Sequence, residues 1–261
     1  MNAPLSVVER YHEVLAYRVE GIKRYGGRLA SDIYGVPVRV SFPSLSLQPP
    51  LMPAVRIGPL YAGDRPPILG VLNDVFAQLP GPLTIVELGP GKGTMAGALR
   101  AAFSAKIARY VGIERDASVT GPYERIADIS ALPPRIDVLI ASEVIEHIPL
   151  ADFFDGMLPA IVAAMTPNAV AVLGTPNALA PTSIFNDFTH VQGYNCMDLY
   201  GLMRLFFGDV AMYRSRYVWS FERLVTLLPR MMLSRALELD WCEGLICVAR
   251  APRNLSSPER T

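Results

Sequence analysis

The stretch from Val86 to Thr94, VELGPGKGT, constrains the fold of this chain more than any other. The apolar run Leu83 to Leu88 predicts a buried strand, which passes directly into a loop carrying Gly89, Gly91 and Gly93. Met95, Ala98, Leu99, Ala102 and Phe103 then recur at helical spacing and give a helix one apolar face to lay on a sheet. Glycine lets the backbone take positive φ, or come within contact of a ligand where a Cβ would intrude. The first turn of the helix adds N–H groups that have no intrahelical partner. Strand, glycine turn and helix in this order predict an α/β sheet with a small polar ligand at the turn.

Two ligand classes use such a turn. The dinucleotide fingerprint G-x-G-x-x-G/A fits Gly91, Gly93 and Ala96, and predicts an NAD-dependent oxidoreductase. Glu87 argues against it, because an ionised carboxylate at the end of the strand faces a pyrophosphate unfavourably and an ammonium group well. S-adenosylmethionine (SAM) carries an ammonium and a positive sulfonium, so acidic groups and backbone dipoles serve it better than a phosphate cradle.

The residues from Glu87 to Gly93 (ELGPGKG) resemble the E/D-x-G-x-G-x-G motif of class I SAM-dependent methyltransferases, and the likeness continues in order through most of residues 83 to 250. The strand Tyr110 to Glu114 ends in the acid that the resemblance assigns to the ribose hydroxyls, with Arg115 beside it. Asp128 and Ile129, after a short strand around Glu124 to Ala127, match the acid and apolar residue at the adenine. Ile136 to Ser142 is a predicted strand, and Ser142 to Ile148 (SEVIEHI) resembles the signature of the branch holding quinone-biosynthesis, sugar and natural-product methyltransferases. Asn168 to Gly174 resembles the fifth strand. The resemblance thus implies SAM as cofactor, held by Glu87, Gly89, Pro90, Gly91, Gly93, Glu114, Arg115, Asp128, Ile129, Ser142 and Glu143. It implies a Rossmann-like, doubly wound sheet of seven mostly parallel strands, with one antiparallel strand within Leu239 to Arg250. The acceptor it implies is a small molecule, methylated at a hydroxyl of a sugar, glycolipid or secondary metabolite. A SAM-binding subunit without turnover is the remaining alternative.

Composition narrows the partners. The 261 residues are 51% hydrophobic and carry 24 basic and 24 acidic side chains, enough for one substantial core and no electrostatic footprint for nucleic acid. Cys196, Cys242 and Cys247 have no metal-ligand spacing and cannot all pair, which predicts a reducing compartment. With no signal pattern and no apolar run of membrane-spanning length, the expectation is a soluble cytoplasmic protein. No motif speaks to oligomeric state.

Residues 1–82 read as an appendage to a methyltransferase domain spanning 83–251. It opens with a helix whose apolar face is expected to hold Leu5, Val8, Leu15, Val19 and Ile22, ended by Gly26 and Gly27. From Val36 to Pro67 eight prolines remove backbone donors, which argues against regular helix or central strand and for an ordered wrapping segment. Ile68 to Leu79 predicts a helix feeding the first strand. Residues 220–237 read as a helical insertion, and 252–261 as a loose tail.

A sulfonium is already an activated electrophile, so the chemistry asks for an acceptor held in line and, for a hydroxyl, a base. His147 and His190 are the candidate bases, since His12 lies in the first helix. Asp187 and Glu146 are alternatives. Glu143, Glu146, His147 and His190 lack tight ligand spacing along the chain, so no metal is expected.

Overall fold

The computed structural model describes residues 5–26, 35–42, 61–62, 67–180, 187–217, 225–226, 229, 232–233, 237, 240 and 242–253. In chain order the main elements are α1 (Tyr11–Tyr25), β1 (Val38–Phe42), β2 (Tyr61–Ala62), α2 (Pro67–Gln78), β3 (Leu83–Leu88), α3 (Thr94–Phe103) and β4 (Ile107–Ile113). There follow β5 (Glu124–Ile126), β6 (Ile136–Ser142), α4 (Leu158–Ala164), β7 (Met165–Pro176), α5 (Cys196–Arg204), β8 (Phe207–Tyr217) and β9 (Gly244–Pro252).

The strands form one sheet in the order β2-β1-β8-β9-β7-β6-β3-β4-β5. All neighbours are parallel except β9, which runs antiparallel to both β7 and β8. The expected seven strands are therefore β3 to β9, and the sheet is larger than expected by β1 and β2. The reason lies in where the prolines fall. β1 occupies the proline-free window between Pro37 and Pro43, and β2 the window between Pro59 and Pro66, so both keep the N–H groups a ladder needs. β1 pairs with β8 from Val38↔Arg214 to Ser41↔Tyr217. Both outer edges are short strands, which limits the unpaired backbone they offer.

Alternation along the strands feeds two cores. Ile85 and Val138 join Ile68, Leu72, Phe76 and Leu99 from α2 and α3 on one face. Val86, Leu139 and Ala171 join Leu158, Ile161, Leu199 and Met203 from α4 and α5 on the other. The helical segment before β7 starts with a wide turn at Asp152–Met157 and ends at Ala164, so β7 begins at Met165, earlier than the Asn168 start expected of the fifth strand.

Helix α1 belongs to the second layer, but its buried face differs from the expected one. Leu5, Val8 and Val19 are exposed, whereas Val14 and Gly21 are buried and Tyr17, Ile22 and Tyr25 pack beside them. A close helix crossing sets this choice: a Cβ on Gly21 would come 2.8 Å from Tyr200 Cδ1 on α5. The Tyr200 hydroxyl donates to Glu20 at 2.9 Å, Arg204 pairs with Glu20 at 3.1 Å, and the Met212 N–H donates to the Tyr25 hydroxyl at 2.7 Å. The expected insertion at 220–237 lies outside the described residues apart from isolated positions, as does the tail beyond 253. No described helix is long and apolar enough to cross a membrane.

Candidate functional site

Strands β3, β4, β6 and β7 end on one edge of the sheet. The chain leaves β3 for β4 and β5 on one side and returns to β6 on the other, so strand order reverses between β3 and β6. Open α/β sheets bind ligands outside the carboxyl ends of their strands at such a point.

Glu87, the penultimate residue of β3, is 4% exposed, and its Oε2 accepts a 2.6 Å hydrogen bond from the Tyr110 hydroxyl of β4. Burial pushes its carboxyl up to about 7, against the lowering effect of the Tyr110 bond. The loop that follows turns through three left-handed residues, Gly89 (φ 58°), Gly91 (φ 50°) and Gly93 (φ 75°). Two of them are also packed tight. A Cβ on Gly93 would fall 2.5 Å from Pro122 Cδ, and one on Gly89 2.8 Å from Val144 Cγ2, whereas around Gly91 the space is open to 4 Å. Pro90 is buried over Gly112 of β4, where a Cβ would meet its ring at 2.6 Å. The Tyr123 hydroxyl donates to the Gly91 carbonyl at 2.6 Å and ties the loop to the turn before β5.

Glu114 follows β4 directly and is half-buried, its N–H donating to Ile126 at 3.0 Å and its Oε1 accepting from the Asp116 N–H at 3.1 Å. Arg115 beside it is exposed. Asp128 is exposed just past β5, where Oδ1 accepts from the Ser130 N–H at 2.7 Å; the Ser130 hydroxyl and N–H hold its carboxyl below the usual range. Ile129, half-buried, opens the short turn that Asp128 caps. Ser142 ends β6, and Glu143 after it is forced to φ 53°, its N–H donating to Gly174 of β7 at 2.9 Å. The sequence-predicted cofactor residues thus lie on successive strand ends of a single edge. Tyr110 and Tyr123, which hold Glu87 and Gly91 in place, were not anticipated, because an aromatic residue in a strand or turn reads as core.

A second constellation sits between the ends of β6 and β7. Glu146 is fully buried, and its Oε2 accepts from the Thr175 hydroxyl at 3.0 Å; burial raises its carboxyl above the usual range. His147 and His190, far apart in the chain, stack edge to face with ring centroids 4.8 Å apart. The backbone N–H groups of Val191 and Gln192 donate to the Glu146 carbonyl, which holds the segment carrying His190 against the SEVIEHI turn. Single donor atoms of Glu146, His147 and His190 come within 4.8 Å of one another. Spacing along the chain gave no sign that these three side chains meet.

A family model described as a methyltransferase domain matches residues 62–224. The chain belongs to the methyltransferase-domain family. It is accordingly an enzyme with SAM as its cofactor, and the oxidoreductase and non-catalytic alternatives fall away. Among solved structures it is similar to a SAM-dependent methyltransferase from Archaeoglobus fulgidus, at 16% identity over 71% of this chain and 93% of that one, with a TM-score of 0.55. It is also similar to Haemonchus contortus phosphoethanolamine N-methyltransferase 2 in complex with SAM, at 12% identity over 73% of this chain and 55% of that one, with a TM-score of 0.51. At such identities the likeness is one of fold. No curated protein matches the sequence.

The residues on the β3–β6 edge suit the cofactor. The space beside Gly91 is open to a ligand, and the acids Glu87, Glu114 and Asp128 suit an ammonium and hydroxyl groups where a pyrophosphate would meet like charge.

Proposed function

We propose that this methyltransferase moves the methyl group of SAM to a hydroxyl oxygen of a small organic acceptor, of the sugar, glycolipid or secondary-metabolite class. The observation that carries the cofactor half is the placement of Glu87, the Gly89 to Gly93 turn, Glu114, Asp128 and Ser142 on neighbouring strand ends beside the switch point. The bound cofactor supplies a methyl group already activated by its positive sulfur. Glu87 takes the ammonium, in a setting where a cation repays the cost of ionising a buried acid. Glu114, with Arg115 beside it, takes the ribose hydroxyls through two acceptor oxygens. Asp128 and Ile129 flank the adenine, one accepting from its amino group and the other packing on its ring. Ser142 and Glu143 border the reacting end.

The acceptor half rests on the β6–β7 side. His147 and His190 are the bases within reach of an oxygen placed there, and an imidazole removes a hydroxyl proton near neutral pH. Phe188 is 98% exposed and Val191 62%, an apolar rim beside these imidazoles that fits an acceptor with hydrocarbon or ring surface. The SEVIEHI segment supports the branch that contains natural-product and sugar methyltransferases. The three cysteines are buried and free, which fits the reducing cytoplasm.

Thermal melting of the purified chain with ligands tests the reading. S-adenosylhomocysteine raises the melting temperature and NAD does not, and Glu114→Ala lowers the homocysteine ligand's affinity at least tenfold, about 1.4 kcal/mol. Stabilisation by NAD alone, or an undiminished response in Glu114→Ala, refutes it.

A further inference from the structure

The strand that enlarges the sheet also builds a cavity for which methyl transfer has no use. Strands β3 to β9 alone would leave β8 at the edge of the sheet. β1 continues the sheet and sets Arg39 level with Ser215 of β8, on the face that Tyr213 shares by strand alternation. That face is the one α2 covers, since Tyr213 packs with Ile68, Leu72 and Phe76. Between α2 and strands β1, β8 and β9 a cavity of about 280 Å³ remains. It lies on the far side of β7 from the switch point between β3 and β6.

The floor of the cavity is apolar, formed by Val71 and Val75 of α2 and Val248 of β9. Its charged lining is uneven. Arg39 is 8% exposed, and a guanidinium at that depth is costly unless it is matched. Asp74 of α2 matches it, with 3.4 Å between Nη2 and Oδ2, and the Tyr213 ring faces it, 4.8 Å from Cζ to the ring centroid. Arg250 of β9 lines the same cavity, half-buried, and forms no ion pair among the described residues. Two arginines against one aspartate leave the lining with one positive charge in excess. Pinning β1 to α2 accounts for Arg39 and Asp74, but not for the open space or for a second guanidinium beside it.

A single excess charge calls for a monoanion, because a phosphate dianion overshoots it and a neutral solute leaves it unanswered. Guanidinium forks match the planar geometry of a carboxylate. Valine side chains and the tyrosine ring suit an apolar body on that carboxylate. We propose that this cavity is a second ligand site, which binds a small carboxylic acid in its ionised form, the carboxylate on Arg39 and Arg250 and a ring-sized apolar body against Tyr213 and the valine floor. Arg39 is placed there by β1, so the site belongs to the enlarged sheet and not to the strands that carry the cofactor edge. It stands apart from the acceptor reading given above.

Calorimetry on the full chain, with benzoate as the probe, tests the site. One saturable benzoate per chain is expected, with a Kd of about 1 mM or tighter. Benzamide, with the same ring and no charge, does not bind, and phenyl phosphate binds more weakly than benzoate. Arg250→Gln weakens benzoate binding by about tenfold or more, since it removes a charge-assisted bond. Ala77→Phe, at an exposed position of α2 that lines the cavity, abolishes binding by filling the space. Folding of both variants is checked by their stabilisation with S-adenosylhomocysteine, which is expected to equal that of the parent. The proposal is overturned by absence of saturable benzoate binding in the parent, or by undiminished binding in either variant. Benzamide or phenyl phosphate binding as tightly as benzoate overturns it too, as does displacement of benzoate by S-adenosylhomocysteine, which would put the probe at the cofactor edge.

Discussion

Replacing Glu87 by glutamine isolates the electrostatic cost of the cofactor edge. In the folded chain this carboxyl titrates at about 7 against an ordinary value of 4.5, because it is buried. Between those two pH values the folded state keeps a proton that the unfolded state has released. Its contribution to stability is therefore complete below about pH 4.5 and is lost as pH rises through 7. The difference corresponds to about 3 kcal/mol. Glutamine cannot ionise, and its amide oxygen still accepts from the Tyr110 hydroxyl. Without cofactor, Glu87→Gln is thus expected to be more stable than the parent by up to about 3 kcal/mol at pH 8, roughly 6–10 °C in melting temperature for a chain of this size, with no difference at pH 4.5. Melting curves across this pH range supply the measurement, and the difference between the two proteins cancels the other titrating groups. Adding S-adenosylhomocysteine reverses the order at pH 8, since the amide cannot balance an ammonium. The reasoning is refuted if the variant is less stable than the parent at pH 8 without ligand, or if the gap between them is the same at both ends of the range.

The glycine turn separates packing from ligand contact. Gly93→Ala adds a left-handed penalty of about 1–2 kcal/mol to a clash with Pro122 and lowers stability in urea unfolding by more than that penalty, whereas Gly91→Ala faces open space, pays the φ term alone, and lowers cofactor affinity more than it lowers stability. Equal losses of stability in the two variants would contradict the geometry. Tyr123→Phe removes the donor to the Gly91 carbonyl and costs about 1 kcal/mol in stability, with weaker S-adenosylhomocysteine binding by calorimetry. Just past the carboxyl end of β7, Asp240 is 2% exposed and accepts from Arg214 at 3.1 Å, Asn177 at 2.6 Å and the Cys242 N–H at 3.0 Å. Asp240→Asn leaves the Arg214 charge buried without its counterion and is expected to cost about 3–5 kcal/mol in urea unfolding, and a cost near zero would mean that the guanidinium finds another anion.

Much of the architecture was legible because it is written in short local patterns. Leu83 to Leu88 (LTIVEL) and Ile136 to Ser142 (IDVLIAS) are mainly apolar segments that follow a proline within two residues, and both are strands over those residues. The closing strand was expected to be antiparallel, and β9 is. What failed depended on distant partners. The buried face of α1 is chosen by Tyr200 against Gly21, a contact across some 180 residues that helical periodicity does not contain. β1 and β2 hide among prolines, and their short donor-complete windows become strands only because β1 finds a partner in the edge of β8 and β2 then finds one in β1. At the candidate site, the placement of Glu87, Glu114 and Asp128 was readable because each lies at or just past the end of a predicted strand, whereas the pairing of His190 with Glu146 and His147 depends on a loop folding back, and Tyr110 and Tyr123 resemble ordinary core residues until their hydroxyl partners are seen.

The pairing of β1 with β8, and of α1 with α5, has a consequence for how this polypeptide is made. β1 and α1 are synthesised before α5 and β8, the helix and strand that receive them some 180 residues later. They have no docking place until those elements have been made, and a nascent chain halted before residue 196 is expected to leave them open to protease.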